Sequence, residues 1–150
     1  LLARMTGITA KLSVAEDLAT AAASADIISS ATMARMPVLK GEWISPGTHV
    51  DLIGAFKADM READDELISS GSLYVDSRET TLHHIGELMI PLAAGIIAEK
   101  DVKGDFYDLI ARGASARKSG GEITVFKNGG GAHLDLMIAD YISGAVAGKS

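Results

Sequence analysis

The chain has no cysteine among its 150 residues. That absence excludes disulfide bonds, thiolate metal ligands and a cysteine nucleophile. No apolar run approaches the ~20 residues that a membrane-spanning helix needs. Basic side chains are also scarce, with 14 Lys and Arg against 20 Asp and Glu, for a formal net charge of -6. Such a balance argues against a general nucleic-acid surface, which requires clustered Lys and Arg.

The remaining composition is typical of a soluble globular domain. Apolar residues make up 47% of the chain and charged residues 23%. A chain of this length can form one domain with a substantial core. Because the absence of cysteine is compatible with a reducing compartment, we expect a cytoplasmic protein.

The first residues predict the end of a helix. Leu1 to Met5 are helix-forming residues without a preceding cap, and Thr6-Gly7 is a plausible helix C-terminus. The chain also starts without an initiator methionine. We therefore expect it to be the C-terminal part of a longer polypeptide.

Apolar patterns alternate between strand-like and helix-like segments along the chain. Ser13 and Glu16 have the spacing of a capping box at the start of the first helix. The apolar run after Asp26 is typical of a strand buried on both faces. Strands alternating with helices predict a parallel sheet and an α/β fold. Strands are predicted at residues 8–11, 26–32, 48–53, 73–76 and 123–126, and helices at 13–24, 59–69, 79–84, 86–98, 105–111 and 134–146.

The segment from Thr48 to Glu66 is the most informative part of the sequence. It predicts a strand that ends at Gly54, a small loop, and a helix from Asp59 with acidic first turns. Ligands of open α/β sheets bind beyond the carboxyl ends of strands, so a cofactor pocket is expected here. The carboxylates of this segment could resemble a metal cluster, but we interpret them as a solvated helix start stabilised by the helix dipole. They are Glu62, Asp64, Asp65 and Glu66.

Several motifs in order resemble the ornithine cyclodeaminase/mu-crystallin family, and the resemblance extends over nearly all of residues 25 to 143. The segment that follows the strand predicted at 48–53 is similar to the family's Gly-x-x-x-Asp-Met-Arg-Glu-x-Asp loop. A later block resembles its last strand, glycine turn and final helix. The matching segments are GAFKADMREAD (54–64), VDSRE (75–79), GEL (86–88), PLA (91–93) and EITVFKNGGGAHLDL (122–136).

The resemblance implies the second half of a Rossmann-like dinucleotide-binding domain over residues 1–131. No Gly-x-Gly-x-x-Gly follows a strand here, and the family carries that fingerprint in a unit that would precede Leu1. Residues 132–150 would form a C-terminal helix that returns to an N-terminal substrate and dimerisation domain. A homodimer through that N-terminal half and the helix is therefore expected.

The resemblance also implies an NAD(P)H site at the strand ends. The cofactor would be lined by Ala31, Thr32, Asp51, Ile53 and Gly54, and reached by Asn128. Gly129 would contact the substrate through its backbone. Small residues at neighbouring strand ends would let a flat ring approach the main chain closely. The alternative is that Thr32 only ends a strand and Gly54 only allows a turn.

Phe56 departs from the cyclodeaminase pattern. True ornithine cyclodeaminases have an aspartate two residues after the glycine, and a phenylalanine cannot act as an acid or a base. Reduction of a small-molecule cyclic imino acid, of the pyrroline-2-carboxylate or piperideine-2-carboxylate type, is therefore favoured. The alternatives are an ornithine cyclodeaminase or amino-acid dehydrogenase, and a non-catalytic ligand-binding fragment.

The remaining polar candidates are less specific. Lys127 either attracts a substrate carboxylate or cofactor phosphate, or points to solvent. His83 and His84 are adjacent and so do not form a metal pair on one helix face; no metal site is expected. His49 and His133 are interpreted as packing or capping residues. The last helix has a broad apolar face that either docks on the sheet or contacts the N-terminal domain.

Overall fold

A computed structural model describes residues 7–112 and 117–148 of the chain. Its five strands are all parallel and form one sheet in the order β1-β2-β5-β3-β4. The predicted α/β class with a parallel sheet is thus confirmed. The strands are β1 (Ile27–Ser30), β2 (His49–Leu52), β3 (Ser72–Val75), β4 (Val102–Gly104) and β5 (Thr124–Lys127). The helices are α1 (Leu18–Ala23), α2 (Asp65–Ser70), α3 (Arg78–Thr81), α4 (Gly86–Ala93), α5 (Phe106–Arg112) and α6 (Ala132–Ala147).

The register brings the carboxyl ends of four strands to one level. Ser30 of β1 pairs with Leu52 of β2, which pairs with Lys127 of β5, which pairs with Val75 of β3. The residues that follow these four strands therefore lie side by side along one edge of the sheet. We call this edge, formed by residues 31–32, 53–55, 128–129 and 76–77, the carboxyl edge.

The core lies on one face of the sheet, beneath α2 and α4. Alternate strand residues point to it, among them Val50 and Leu52 of β2, and they pack in one cluster with Leu67 and Leu88 of the two helices. These side chains are fully buried, and each contributes about 1.5–3 kcal/mol relative to an exposed position. This packing fixes the strands whose ends form the carboxyl edge.

The N-terminal predictions need correction. Residues 8–11 do not form a strand, and Leu1 to Met5 lie outside the described residues. The first helix begins at Leu18 and not at Ser13, because the Asp17 carboxylate accepts the Thr20 N–H at 2.9 Å and caps it. The strand at 26–32 is not buried on both faces: β1 is an edge strand, and Ile27 is 71% exposed. Strand β4 was not predicted.

The helix predicted from Asp59 begins six residues later. Asp64 is its N-cap and accepts the Leu67 N–H at 2.9 Å, so α2 starts at Asp65. Residues 54–63 instead form a long loop after β2. The predicted acidic helix start therefore holds for Asp64, Asp65 and Glu66, but it is wrong for Glu62.

Helix α6 exposes its apolar side chains, so the alternative in which it docks on the sheet is wrong. The side chains are between 54% and 74% exposed and occupy several sides of the helix: Leu136, Met137, Ile138, Tyr141, Ile142 and Val146. The His133 side chain lies outside the described residues. Among the helices that the structure describes, none combines the length and apolarity needed to cross a membrane.

Candidate functional site at the carboxyl edge

The ends of β1 and β2 touch through their main chains. A Cβ placed on Gly54 would lie 2.0 Å from the Thr32 carbonyl oxygen and 2.2 Å from the Thr32 nitrogen. Only glycine permits this approach, because such distances are far below van der Waals contact. The two ends thus form one continuous wall, and a flat ligand would lie against its outer side, not between the strands.

The Glu62 carboxylate joins the two ends from the inside. Its Oε1 accepts hydrogen bonds from Ser30 Oγ at 2.7 Å, Thr32 N at 2.6 Å and Thr32 Oγ1 at 2.8 Å. Its Oε2 accepts the N–H groups of Gly54 at 2.7 Å and Ala55 at 3.3 Å. Glu62 is fully buried. A carboxylate suits this position because it accepts from several donors at both oxygens and needs no acceptor itself.

These hydrogen bonds determine the charge of Glu62. Burial alone would raise the pKa of the Glu62 carboxyl, but donation from Ser30, Thr32 and Gly54 outweighs it and holds the pKa below its ordinary value. The group is therefore ionised at neutral pH, and hydroxyl and main-chain N–H donors together stabilise its negative charge.

A second buried carboxylate holds Glu62 in place. Glu87, in the first turn of α4, accepts the N–H groups of Glu62 and Ala63 at 2.8 Å each. Burial raises the pKa of Glu87, although these two donors and the nearby Lys127 act in the opposite direction. The loop carrying Glu62 is thus attached to α4 through both oxygens of one side chain.

Lys127 at the end of β5 is fully buried, so the alternative in which it points to solvent is wrong. Its Nζ donates to the Leu52 carbonyl oxygen at 3.0 Å. Burial lowers the pKa of the Lys127 ammonium, while the nearby carboxylates of Glu87 and Glu62 favour its charged form. The Lys127 amino group therefore lies behind the carboxyl edge, beside the side chains of Glu87 and Glu62.

The other residues predicted for the cofactor lie at or near this edge. Ala31, Thr32 and Ile53 are exposed. Asp51 lies before the end of β2, in register with Ser29 and Phe126, on the face opposite the core. Asn128 directly follows β5; its N–H donates to the Leu52 carbonyl at 3.0 Å, and its Oδ1 accepts the Gly130 N–H.

Gly129 is bound to a third carboxylate. Its N–H donates to Asp76 Oδ2 at 2.8 Å, while Asp76 Oδ1 accepts from Ser77 N and Thr81 Oγ1. A Cβ on Gly129 would lie 2.8 Å from Thr81 Oγ1. The main-chain contact predicted between Gly129 and a substrate would therefore have to use its carbonyl oxygen, since the N–H is already donated.

Phe56 follows the β2 end and is half exposed, with the Lys57 ammonium 5.3 Å from its ring centroid. Two histidines, His49 and His83, have polar side-chain neighbours. His49 Nδ1 is 2.7 Å from Thr124 Oγ1, and the exposed His83 Nε2 is 3.2 Å from Glu99 Oε1. Over residues 7–112 and 117–148, no three side chains form a group suited to a metal ion.

Sequence reasoning missed Glu62 and Asp76, which bind the main chain of the carboxyl edge, and Glu87, which binds the main chain of the loop that carries Glu62. One signal could have identified Glu62. Asp64 is followed by two further acidic residues and then by Leu67 and Ile68, the pattern of an N-cap before an acidic first turn. A helix that starts there leaves Glu62 in the loop, where its side chain can turn inward.

The chain is similar to proteins of known activity. The family model for the ornithine cyclodeaminase/mu-crystallin family matches residues 2–150. A Delta(1)-pyrroline-2-carboxylate reductase from Paracoccus denitrificans is 66% identical over 142 residues, which are 95% of this chain and 45% of the relative. The chain thus spans less than half the length of that relative.

Two solved structures have the same fold. The Delta(1)-pyrroline-2-carboxylate reductase of Thermococcus litoralis, in complex with NADH and L-proline, is 36% identical with a TM-score of 0.72, over 77% of this chain and 36% of that one. An archaeal alanine dehydrogenase dimer with bound NAD is 32% identical with a TM-score of 0.73, over 83% and 39%. The parallel sheet is therefore Rossmann-like, and the chain belongs to the ornithine cyclodeaminase/mu-crystallin family.

Proposed function

We propose that the full-length protein is an NAD(P)H-dependent reductase of cyclic imino acids of the pyrroline-2-carboxylate or piperideine-2-carboxylate type. The observation that carries the proposal is the joined wall of the β1 and β2 ends, with small exposed groups at Ala31 and Thr32. The similarity to a reductase solved with NADH and L-proline supports the same assignment. Reduction would proceed by hydride transfer from the nicotinamide to the imine carbon.

The residues present fit a nicotinamide ring. Gly54 brings two main chains together without a side chain in front of them, and Ile53 offers apolar surface beside them. The site residues that we propose for the cofactor are Ala31, Thr32, Asp51, Ile53, Gly54 and Asn128, with Gly129 for the substrate.

Phe56 favours reduction over deamination. It lies two residues after Gly54 with its ring half exposed, and it cannot move a proton to or from an attacking water. Reduction of a preformed imine involves no attack by water on the carbon skeleton, so it does not need an acid or base at this position. The exposed ring instead offers apolar surface to a small cyclic substrate.

The assay that tests this function uses the full-length protein, reduced cofactor and each cyclic imino acid. We expect oxidation of NADH or NADPH that depends on the imino acid, and no release of ammonia when ornithine is supplied with the oxidised cofactor. Ammonia and proline formed from ornithine would instead support cyclodeamination. Cofactor binding without turnover on any imino acid would support the non-catalytic alternative.

We also propose that residues 132–150 form a unit separate from the Rossmann-like residues 1–131, and that α6 contributes to a homodimer. The exposed apolar residues of α6 form a surface of the kind that is normally covered in an assembly. A dimeric relative with bound NAD supports this arrangement.

Light scattering tests the role of α6. The full-length protein is expected to elute as a dimer, and Ile138→Glu with Tyr141→Glu should shift it towards monomer because two charges would be buried at the interface. Lys118→Glu, in the exposed loop before β5, is the control and should leave the dimer unchanged. A dimer that survives both α6 substitutions would contradict the proposal.

A further inference from the structure

A single buried side chain, that of Glu62, bridges the β1 and β2 ends in addition to the hydrogen bond that the Ile53 N–H donates to the Ser30 carbonyl oxygen at 2.8 Å. Three of the groups that donate to Glu62 are main-chain N–H groups, those of Thr32, Gly54 and Ala55. Main-chain donors are present whatever side chains occupy those positions. The two ends are therefore held together by the carboxylate, and not only by the direct contact at Gly54.

Glu62 is itself fixed by its main chain. Its N–H donates to Glu87, and its carbonyl oxygen accepts the N–H groups of Val38 and Leu39 at 2.8 and 2.9 Å. Since its N–H and its carbonyl oxygen are both bonded to other elements, the main chain of Glu62 is anchored independently of the strand ends that its carboxylate binds. It holds them at a set distance from α4 and from the segment at 38–39.

We propose that Glu62 is a positioning residue for hydride transfer: it fixes the wall formed by residues 31–32 and 53–55 on which the nicotinamide would lie. Glu62 is fully buried behind this wall, so it acts through Thr32 and Gly54 and does not touch the cofactor. The inference rests on the proposed function. Hydride transfer is sensitive to such positioning, because a misplacement of about 1 Å can cost about 100-fold in rate.

The test substitutes Glu62 in the full-length protein. Glu62→Gln keeps the length of the side chain but replaces one acceptor oxygen by an NH2 group, which must face donors at either Thr32 or Gly54. Glu62→Asp keeps the charge but is one methylene shorter. Glu66→Gln, the same change on an exposed side chain of α2, is the matched control.

The decisive measurement is the rate of hydride transfer in a single turnover, with cofactor and imino acid both bound. We expect Glu62→Gln to lower this rate by about 30-fold and Glu62→Asp by less, while the KM of the imino acid changes by under about threefold. Glu66→Gln should match the unsubstituted protein. A purely structural role would lower the melting temperature and leave the rate per folded molecule unchanged.

A milder variant covers the case in which neither Glu62 variant folds. Ser30→Ala removes one donor to Oε1 and leaves the main-chain bonds in place, so we expect a loss of about threefold in the same rate. A rate equal to that of the unsubstituted protein in Ser30→Ala would then overturn the inference.

The two proposals fail in different ways. If the unsubstituted protein turns over imino acids and Glu62→Gln transfers hydride at the same rate, the positioning role is wrong and the proposed function stands. If the unsubstituted protein shows no turnover, the proposed function fails, and the role assigned to Glu62 fails with it.

Discussion

Gly54→Ala is expected to slow hydride transfer by about 100-fold, a loss of the size that a shift of about 1 Å produces. The added methyl group would lie 2.0 Å from the Thr32 carbonyl oxygen and 2.6 Å from Glu62 Oε1. Because the nearest atoms belong to the main chain, no side-chain rotation can relieve the clash, and the two strand ends must separate. We expect a stability loss of about 3 kcal/mol, at the upper end for overpacking.

Gly120→Ala is the matched control for this substitution. A Cβ on Gly120 meets no atom within 4 Å, so the same chemical change there should leave both the rate and the stability nearly unaltered. The measurements are single-turnover kinetics and urea unfolding of the full-length protein. A Gly54→Ala protein that retains the full rate would show that the contact of the two ends is not needed.

Lys127→Met is expected to lower the free energy of unfolding by about 3 kcal/mol, the scale for removing one partner from a buried group of charges. The two side chains have similar volume, so the effect reports the charge and not a cavity. Without the ammonium, Glu87 and Glu62 lose a favourable charge interaction, and the Leu52 carbonyl loses one of its two donors.

Lys100→Met, on an exposed lysine, is expected to stay within about 0.5 kcal/mol of the unsubstituted protein. The double variant Lys127→Met with Glu87→Gln should be less destabilised than the sum of the single variants, because the side chain at position 87 is then neutral and no longer loses a charge partner. Urea unfolding of the unsubstituted protein, Lys127→Met, Glu87→Gln, the double variant and Lys100→Met provides the comparison. A Lys127→Met protein as stable as the unsubstituted one would contradict the charged role.

Strands β1, β2, β3 and β5 could be predicted because local patterns determine them, whereas the three-residue β4 was missed and the strand predicted at 8–11 was wrong. The apolar run of β2 and the glycine after it placed one strand end correctly, and the segment before Thr32 placed the neighbouring one. Parallel pairing then required both ends to meet at one edge, as the register confirms. The family motifs added the expectation of an NAD(P)H site, which the pattern of apolar residues alone could not supply.

The interior of the site could not be predicted because it depends on contacts distant in sequence. Glu62 bonds to Ser30, 32 positions earlier, and Glu87 bonds to the main chain of Ala63, 24 positions before it. In the sequence these residues look like surface carboxylates. The burial of Lys127 was missed for the same reason, since a lysine at a strand end is usually solvated.

The buried carboxylates also decide which polar atoms the carboxyl edge can offer to a ligand. The amide hydrogens of Thr32, Gly54 and Ala55 are donated to Glu62, and those of Ser77 and Gly129 to Asp76. Carbonyl oxygens are then the main-chain groups left for recognition at these positions. A phosphate, which needs donors, gains little from such a surface, whereas a carboxamide can place its NH2 hydrogens on it.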